Sequence, residues 1–268
     1  APLLWLINRP SVYETAIAGG QFFLLIGLFT SLQSVYSKKL ERLMLVITGF
    51  ACCSSIGCRL NLAPAISFLV LALCVYWWKT RTFKRMLVLL VWLFAPLILW
   101  VLGISWYNFA RFGNILESGH RYQLTGPSLP DQYSHVISLQ YSLPSLYSYL
   151  IRPPLFSLEA FPFVSITFIK ENMWPFFIFL PKYYYYPEPV AGLLIITPAI
   201  WLLILPVMGS IRNFWHWLNL KPLEKNFPAA EDALGWGLMV GGSLFLFSVL
   251  LVFNATTFRY LADVLPML

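Results

Sequence analysis

Charge is what this chain has least of. Only 11% of its 268 residues are Asp, Glu, Lys or Arg, and histidine occurs three times; an ordinary soluble domain carries about 25% charged residues. Cysteine is scarce as well. The four, Cys52, Cys53, Cys58 and Cys74, all fall inside apolar stretches, which reads as small packing side chains and excludes a disulfide framework or a zinc site. No GxSxG, P-loop or Rossmann fingerprint occurs, so nucleophilic hydrolysis and nucleotide binding have no motif to rest on. HxxxH, DxD and close outer carboxylate pairs are missing too, and no metal or cofactor is expected.

What fills the chain is hydrocarbon. Hydrophobic residues make up 59% and aromatic residues 18%, with a mean hydropathy of +0.72, well above the roughly 45–50% apolar share of soluble proteins. This composition excludes disorder, collagen, coiled coil and a soluble enzyme with one core. The expectation is an integral membrane protein. A net charge of +7 does not point to nucleic acid, because the cations sit in short runs between apolar stretches, where they set orientation in a bilayer.

About 20 apolar residues in a helix cross the roughly 30 Å hydrocarbon layer. Six uncharged runs approach that length: 15–36, 43–58, 60–78, 86–110, 189–211 and 233–258. The predicted fold is therefore all-α, a polytopic transmembrane helical bundle of about six spans, forming one transmembrane domain over 1–268. Residues 1–8 and 260–268 are apolar but too short to cross; with no starting Met and no signal segment, both ends look cut from a longer chain.

Loop charge orders the spans. SKKLER (37–42) carries three cations, KTRTFKR (79–85) four, and 210–232 holds Arg212, Lys221 and Lys225; these alternate with poorer stretches at Arg59 and after Phe258. The positive-inside rule puts the rich loops in the cytoplasm. The Arg59 turn, the segment 107–188 and the end after Phe258 then face outward, as in a bacterial inner membrane. Segment 107–188 is too apolar to be freely solvated and too broken by proline to span, so short helices along the outer membrane face are expected, with Asp131 as an N-cap and Pro153 and Pro154 as a stop. Trp77, Trp78, Trp100, Trp106 and Tyr107 mark span ends at the headgroup layer. Gly19, Gly20, Gly241 and Gly242 mark close helix contacts.

Few polar residues remain for chemistry, and they gather on the outward side. Arg59 follows the second span, Arg111, Glu117, His120 and Arg121 fall together in WYNFARFGNILESGHRYQLTG, and Arg259 and Asp263 end the chain in TTFRYLAD. Guanidinium forks suit phosphate, and a helix end at the headgroup layer is where a lipid phosphate sits. The plainer readings are a snorkelling anchor for Arg59 and an intrahelical pair for Arg259 and Asp263, four residues apart. His120 is a general base or simply a hydrogen-bonding loop residue. His135 and His216 have no evident partners. Glu14 is either an N-terminal helix charge or part of an outer site.

The stretch YNFARFGNILESGHRYQLTG, with RPSVYETAI, IGCRLNLAP, FPF and RYLADVLPML, resembles bacterial membrane proteins grouped with the GT-C type glycosyltransferases related to dolichyl-phosphate-mannose protein mannosyltransferases. That resemblance implies a transferase taking a sugar from a polyprenyl-phosphate lipid on the outer face. It implies phosphate or sugar contacts for Arg59, Arg111, Arg121 and Arg259, with His120, Glu14 and Asp263 as polar neighbours. Such enzymes carry a catalytic Asp or Glu in the first outer loop, and this chain starts after that loop. Either an upstream part supplies it, or the chain is a non-catalytic accessory subunit of a larger membrane assembly. No charged residue at a span midpoint and no inverted repeat speaks for a transporter.

Overall fold

The computed structural model describes residues 12–117, 135–156, 164–166, 174–184, 189–203, 205, 207–209, 211–212, 215 and 228–264. Its architecture is all-α. Four helices are long and apolar enough to cross a membrane: α1 (Val12–Tyr36), α2 (Glu41–Cys58), α3 (Ala63–Thr80) with a single helical turn, Leu60–Leu62, before it, and α4 (Phe83–Phe112). In lipid every backbone N–H and C=O must be met within its own segment, which is why uninterrupted apolar sequence becomes helix. The breaks fall where the sequence supplies charge or a breaker. Arg59 is extended at the end of α2 and Pro64 opens α3, the first-turn position where proline's missing N–H costs nothing. Gly113 stops α4 in the left-handed conformation, φ 70°, the usual glycine stop.

After α4 the elements shorten. A helical stretch runs through α5 (Ser142–Leu146) and one wider turn to Ile151. Arg152, extended before Pro153 and Pro154, ends it, since a residue preceding proline is pushed out of the helical region. Strands β1 (Leu155–Phe156) and β2 (Val164–Ser165) pair antiparallel over two residues each. The expected fifth span, 189–211, is broken: α6 (Leu193–Ile196) and a tight turn Pro198–Leu203 meet at Thr197, where Pro198 cannot continue the hydrogen-bond ladder. The expected sixth, 233–258, corresponds to α7 (Pro228–Leu251), which stops seven residues early; Phe253 then bridges Ile137, and α8 (Phe258–Val264) follows. Asp131 lies outside the described residues.

Leucine dominates the core, with Leu24, Leu45, Leu69, Leu73, Leu89, Leu93 and Leu238 all buried. Trp77 joins them at 1% exposure, whereas its neighbour Trp78 is 70% exposed; only the second occupies the surface expected for both. Polar side chains join helices at depth. Thr30 of α1 and Thr48 of α2 share a hydroxyl hydrogen bond of 2.8 Å, and Ser55 donates to the Gly20 carbonyl at 2.9 Å. Small residues allow close approach, as membrane helices require. A Cβ on Gly20 would come 2.9 Å from Leu62, and one on Gly241 would meet the Phe68 ring. Tightest against backbone in the membrane is Gly49 of α2, where a Cβ would stand 2.5 Å from the Leu93 carbonyl oxygen and 3.0 Å from Pro96 inside α4. The proline leaves α4 a smooth, donor-free surface there, and the glycine lets α2 rest on it.

Gly49→Ala therefore forces α2 and α4 apart and lowers stability by about 1–3 kcal/mol, the usual range for overpacking. Gly103→Ala, on the partner helix α4 with nothing among the described residues within 4 Å of its Cβ, leaves the melting temperature in detergent unchanged or raised. Equal melting of the two variants would contradict the close contact.

Candidate functional site

The bundle has two polar ends, each organised by one buried carboxylate. At the end reached by the loops 37–42 and 79–85, Glu41 is 3% exposed. It accepts from Arg85 and lies 3.7 Å from Arg81. At the other end Asp263 of α8, 0% exposed, accepts the Arg59 Nε at 2.8 Å on both oxygens. The two cation-rich loops thus share one end, and the Arg59 turn shares the opposite end with the C-terminal helix.

Asp263 gathers three distant segments. Arg59 reaches it from the α2–α3 turn, Gln21 of α1 donates to its backbone carbonyl at 2.9 Å, and Ile17 packs on Ala262. Arg59 also lies over the Tyr260 ring, 5.7 Å from its centroid. The expected intrahelical partnership of Asp263 with Arg259 gives way to this pair across the bundle, because a buried carboxylate needs the cation that comes with it out of water. Burial is the largest influence on Asp263 and pushes its carboxyl up to about 6, against the pull of Arg59 and Gln21. The pair therefore recovers only part of the cost of leaving water.

Of the other expected contacts, Arg111 stands apart. It is exposed, hydrogen-bonds the Tyr107 hydroxyl one turn back at 2.9 Å and lies over the Tyr107 and Phe112 rings. A Cβ on Gly57, two residues before Arg59, would lie 3.5 Å from Trp100, so that level of α4 adjoins the turn. Arg111 is eleven residues further, about 16 Å along the axis at 1.5 Å per residue. Arg59 and Arg111 therefore cannot grip one phosphate, and the expected ring of guanidinium groups does not form between them. His120 and Arg121 lie outside the described residues, as does His216. Arg259 opens α8, close enough to act on the Tyr260 hydroxyl.

Glu14, expected as a helix charge or as part of an outer site, lies close by. It sits one turn before Ile17 on the face of α1 that meets α8, it is 7% exposed, and among the described residues its Oε2 has no hydrogen-bond partner. Gln21 Oε1, two turns along the same face, and Thr257 Oγ1 are likewise buried and unpartnered. Beside them lies an aromatic layer that sequence patterns do not reveal. Tyr149, fully buried, accepts from the Thr257 backbone N–H at 3.3 Å. Tyr184 bonds Thr256, and Ser145 donates to its hydroxyl at 3.4 Å. Arg152 is buried next to Tyr147 and Tyr184, and burial lowers its basicity. In SLPSLYSYLIRPP these residues look like one more apolar patch; only the return of the chain at Gly192, whose N–H donates to the Arg152 carbonyl at 2.6 Å, encloses them. His135, without an evident partner in the sequence, stacks on Tyr183 at 4.1 Å.

No protein-family model, no curated protein and no solved structure matches the chain.

Removing one member of the Arg59–Asp263 pair strands a buried charge. Arg59→Met lowers stability by about 3–5 kcal/mol, whereas Arg59→Met with Asp263→Leu recovers most of it; thermal unfolding in detergent measures both. The raised carboxyl gives a second expectation. Between pH 4 and 6 the folded chain holds a proton on Asp263 that the unfolded chain has released, so its contribution to stability is present at low pH and lost as pH rises through 6. The two-unit shift corresponds to about 3 kcal/mol, and Asp263→Asn should flatten that part of the pH profile.

Proposed function

We propose that this chain is an integral-membrane glycosyltransferase, or the C-terminal part of one, with about six spans. It transfers a sugar from a polyprenyl-phosphate carrier on the outer face of a bacterial inner membrane. The observation that carries the reading is the convergence at Asp263. Three of the pieces behind the GT-C resemblance, RPSVYETAI, IGCRLNLAP and RYLADVLPML, are spread over the whole sequence yet meet through Ile17 on Ala262 and Arg59 on Asp263. Loop charge assigns this end to the outside and the Glu41 end, with 210–232, to the cytoplasm.

Within this reading Arg59 is a positioning residue, since its Nε is committed to Asp263. The groups that face substrate stand above it. Arg111, exposed at the top of α4, neutralises the phosphate; His120, Arg121 and Arg259 are the further cations and polar groups that the outward stretches offer in sequence. Glu14, six residues before Gly20 on α1 and so about 9 Å above the Arg59 level, has a buried carboxylate oxygen with no partner among the described residues, and it takes the proton of the acceptor hydroxyl. The acceptor oxygen bonds to the anomeric carbon, the bond from that carbon to the phosphate oxygen breaks, and the lipid phosphate departs with the electron pair.

A second reading, a non-catalytic accessory subunit of a larger membrane complex, draws on α4, of whose most apolar stretch only 17% is buried. A helix so bare suits a further protein neighbour as well as lipid.

Glu14→Gln should reduce transfer from a polyprenyl-phosphate sugar in membranes at least about a hundredfold, the usual share of a general base, and Arg111→Ala should abolish it. Melting should stay within a few degrees in both. Undiminished turnover in both variants would overturn the proposed site. Stoichiometric co-purification with other subunits, without transfer activity, would select the second reading.

A further inference from the structure

The cation-rich end carries more charge than its own fold uses. Segments 37–42 and 79–85 hold seven Lys and Arg against a single acid, Glu41. The ion pairs of Glu41 with Arg81 and Arg85 draw the two segments into one collar. Glu41 satisfies two of the cations, while Lys38, Lys39, Arg42 and Lys84 remain exposed around it. Trp78 and Phe83 flank the collar at 70% and 62% exposure, in the manner of rings that settle at a headgroup layer.

Arg42 departs from the collar's plane. Its guanidinium carbon lies 6.0 Å from the centre of the Trp92 ring. Trp92 is seven residues beyond Arg85 on α4, about 10 Å further toward the bilayer centre. Both side chains are on the outside of the bundle, with Trp92 39% exposed, Leu43 beside Arg42 at 53% and Val88, one turn before Trp92, at 40%. A cation held on a hydrocarbon-facing flank is costly unless an anion comes to meet it.

We propose that the flank between α2 and α4 at this end is a seat for an anionic phospholipid. The headgroup phosphate lies against Arg42, with Lys38 and Lys39 above it, and the acyl chains run down the exposed side of α4 past Trp92. Only an anion attached to hydrocarbon satisfies both halves of this surface, which is why a lipid and not a soluble phosphate is its occupant. The seat is at the opposite end from the proposed transfer site and does not depend on it.

The test is native mass spectrometry of the full chain, purified and exposed to equal amounts of phosphatidylglycerol and phosphatidylcholine. The wild type should retain phosphatidylglycerol in preference, and high salt should reduce the preference. Arg42→Gln alone should cut it about fivefold, and adding Lys38→Gln and Lys39→Gln should bring the two lipids close to parity, each cation near the surface being worth about fivefold. Lys182→Gln, an exposed cation outside both basic segments, should keep it. Equal retention of the two lipids by the wild type overturns the proposal, as does an undiminished preference in the triple variant. Should the triple variant not fold, the wild-type preference and Arg42→Gln still decide. Displacement of the lipid by inorganic phosphate alone would show that the acyl chains contribute nothing, and would overturn it as well.

Discussion

The contact on which one end of this bundle turns is the Arg59–Asp263 pair. It joins a tight turn between α2 and α3 to the last helix, 204 residues away in sequence, and it lies where α1 supplies Gln21 and Ile17. It is joined there by Ile17 on Ala262, the Gln21 amide hydrogen bond and the burial of Val264 in the leucine core. Its energetics explain its role. A carboxyl pushed up toward neutrality by burial, despite a guanidinium at 2.8 Å, belongs to a pair whose attraction does not fully offset desolvation. Such a pair adds little net stability and much selectivity, because any arrangement that separates the partners leaves a bare charge in an apolar interior.

Glu41 repeats this logic at the other end with a different balance. Its two cationic partners stay partly in water, at 25% and 39% exposure for Arg81 and Arg85, so the desolvation cost is smaller and the spare positive charge is larger. One end of the bundle is therefore closed on itself by a one-to-one pair in an aromatic setting. The other is open and basic, with a single acid acting as a tie between two loops. This asymmetry reflects the surroundings: a one-to-one buried pair suits a protein interior, and excess cation suits a phosphate-rich surface.

The sequence alone made α1 to α4 legible, because uncharged runs of membrane length bounded by charge leave little else for the backbone to do. It also showed which charged loops share an end, and the close contacts at Gly19 and Gly20. Gly49 escaped notice: its role depends on Pro96, 47 residues later and opposite it only once α2 and α4 pack. Over 189–211 hydropathy is continuous while the helix is cut at Pro198, a break that hydropathy does not report. Pairing was hardest to read. Arg259 at four residues from Asp263 is the obvious local partner, yet Arg59 takes the carboxylate, because helix periodicity reports neighbours on one helix and not those across a bundle. Arg152, Tyr149 and Tyr184 were hidden for the same reason, their enclosure being made by a chain return and by no motif.

Height along the bundle decides which polar groups can share a substrate. Arg59 lies at the level where α2 turns into α3, beside Trp100, and its charge is spent there. Arg111 rises well above that level because α4, at 30 residues and about 45 Å, is longer than the roughly 30 Å apolar layer. The surplus emerges as an amphipathic stalk carrying Trp106, Tyr107 and Arg111. Bilayer phosphates reside among headgroups and not within hydrocarbon, so the stalk is at their height and the turn is not. Glu14 stands between these heights on α1, which touches both α2 and α8. Charge at this end is thus divided by depth: the buried Arg59–Asp263 pair holds the frame, and Arg111, braced on Tyr107 and Phe112, stands exposed above it.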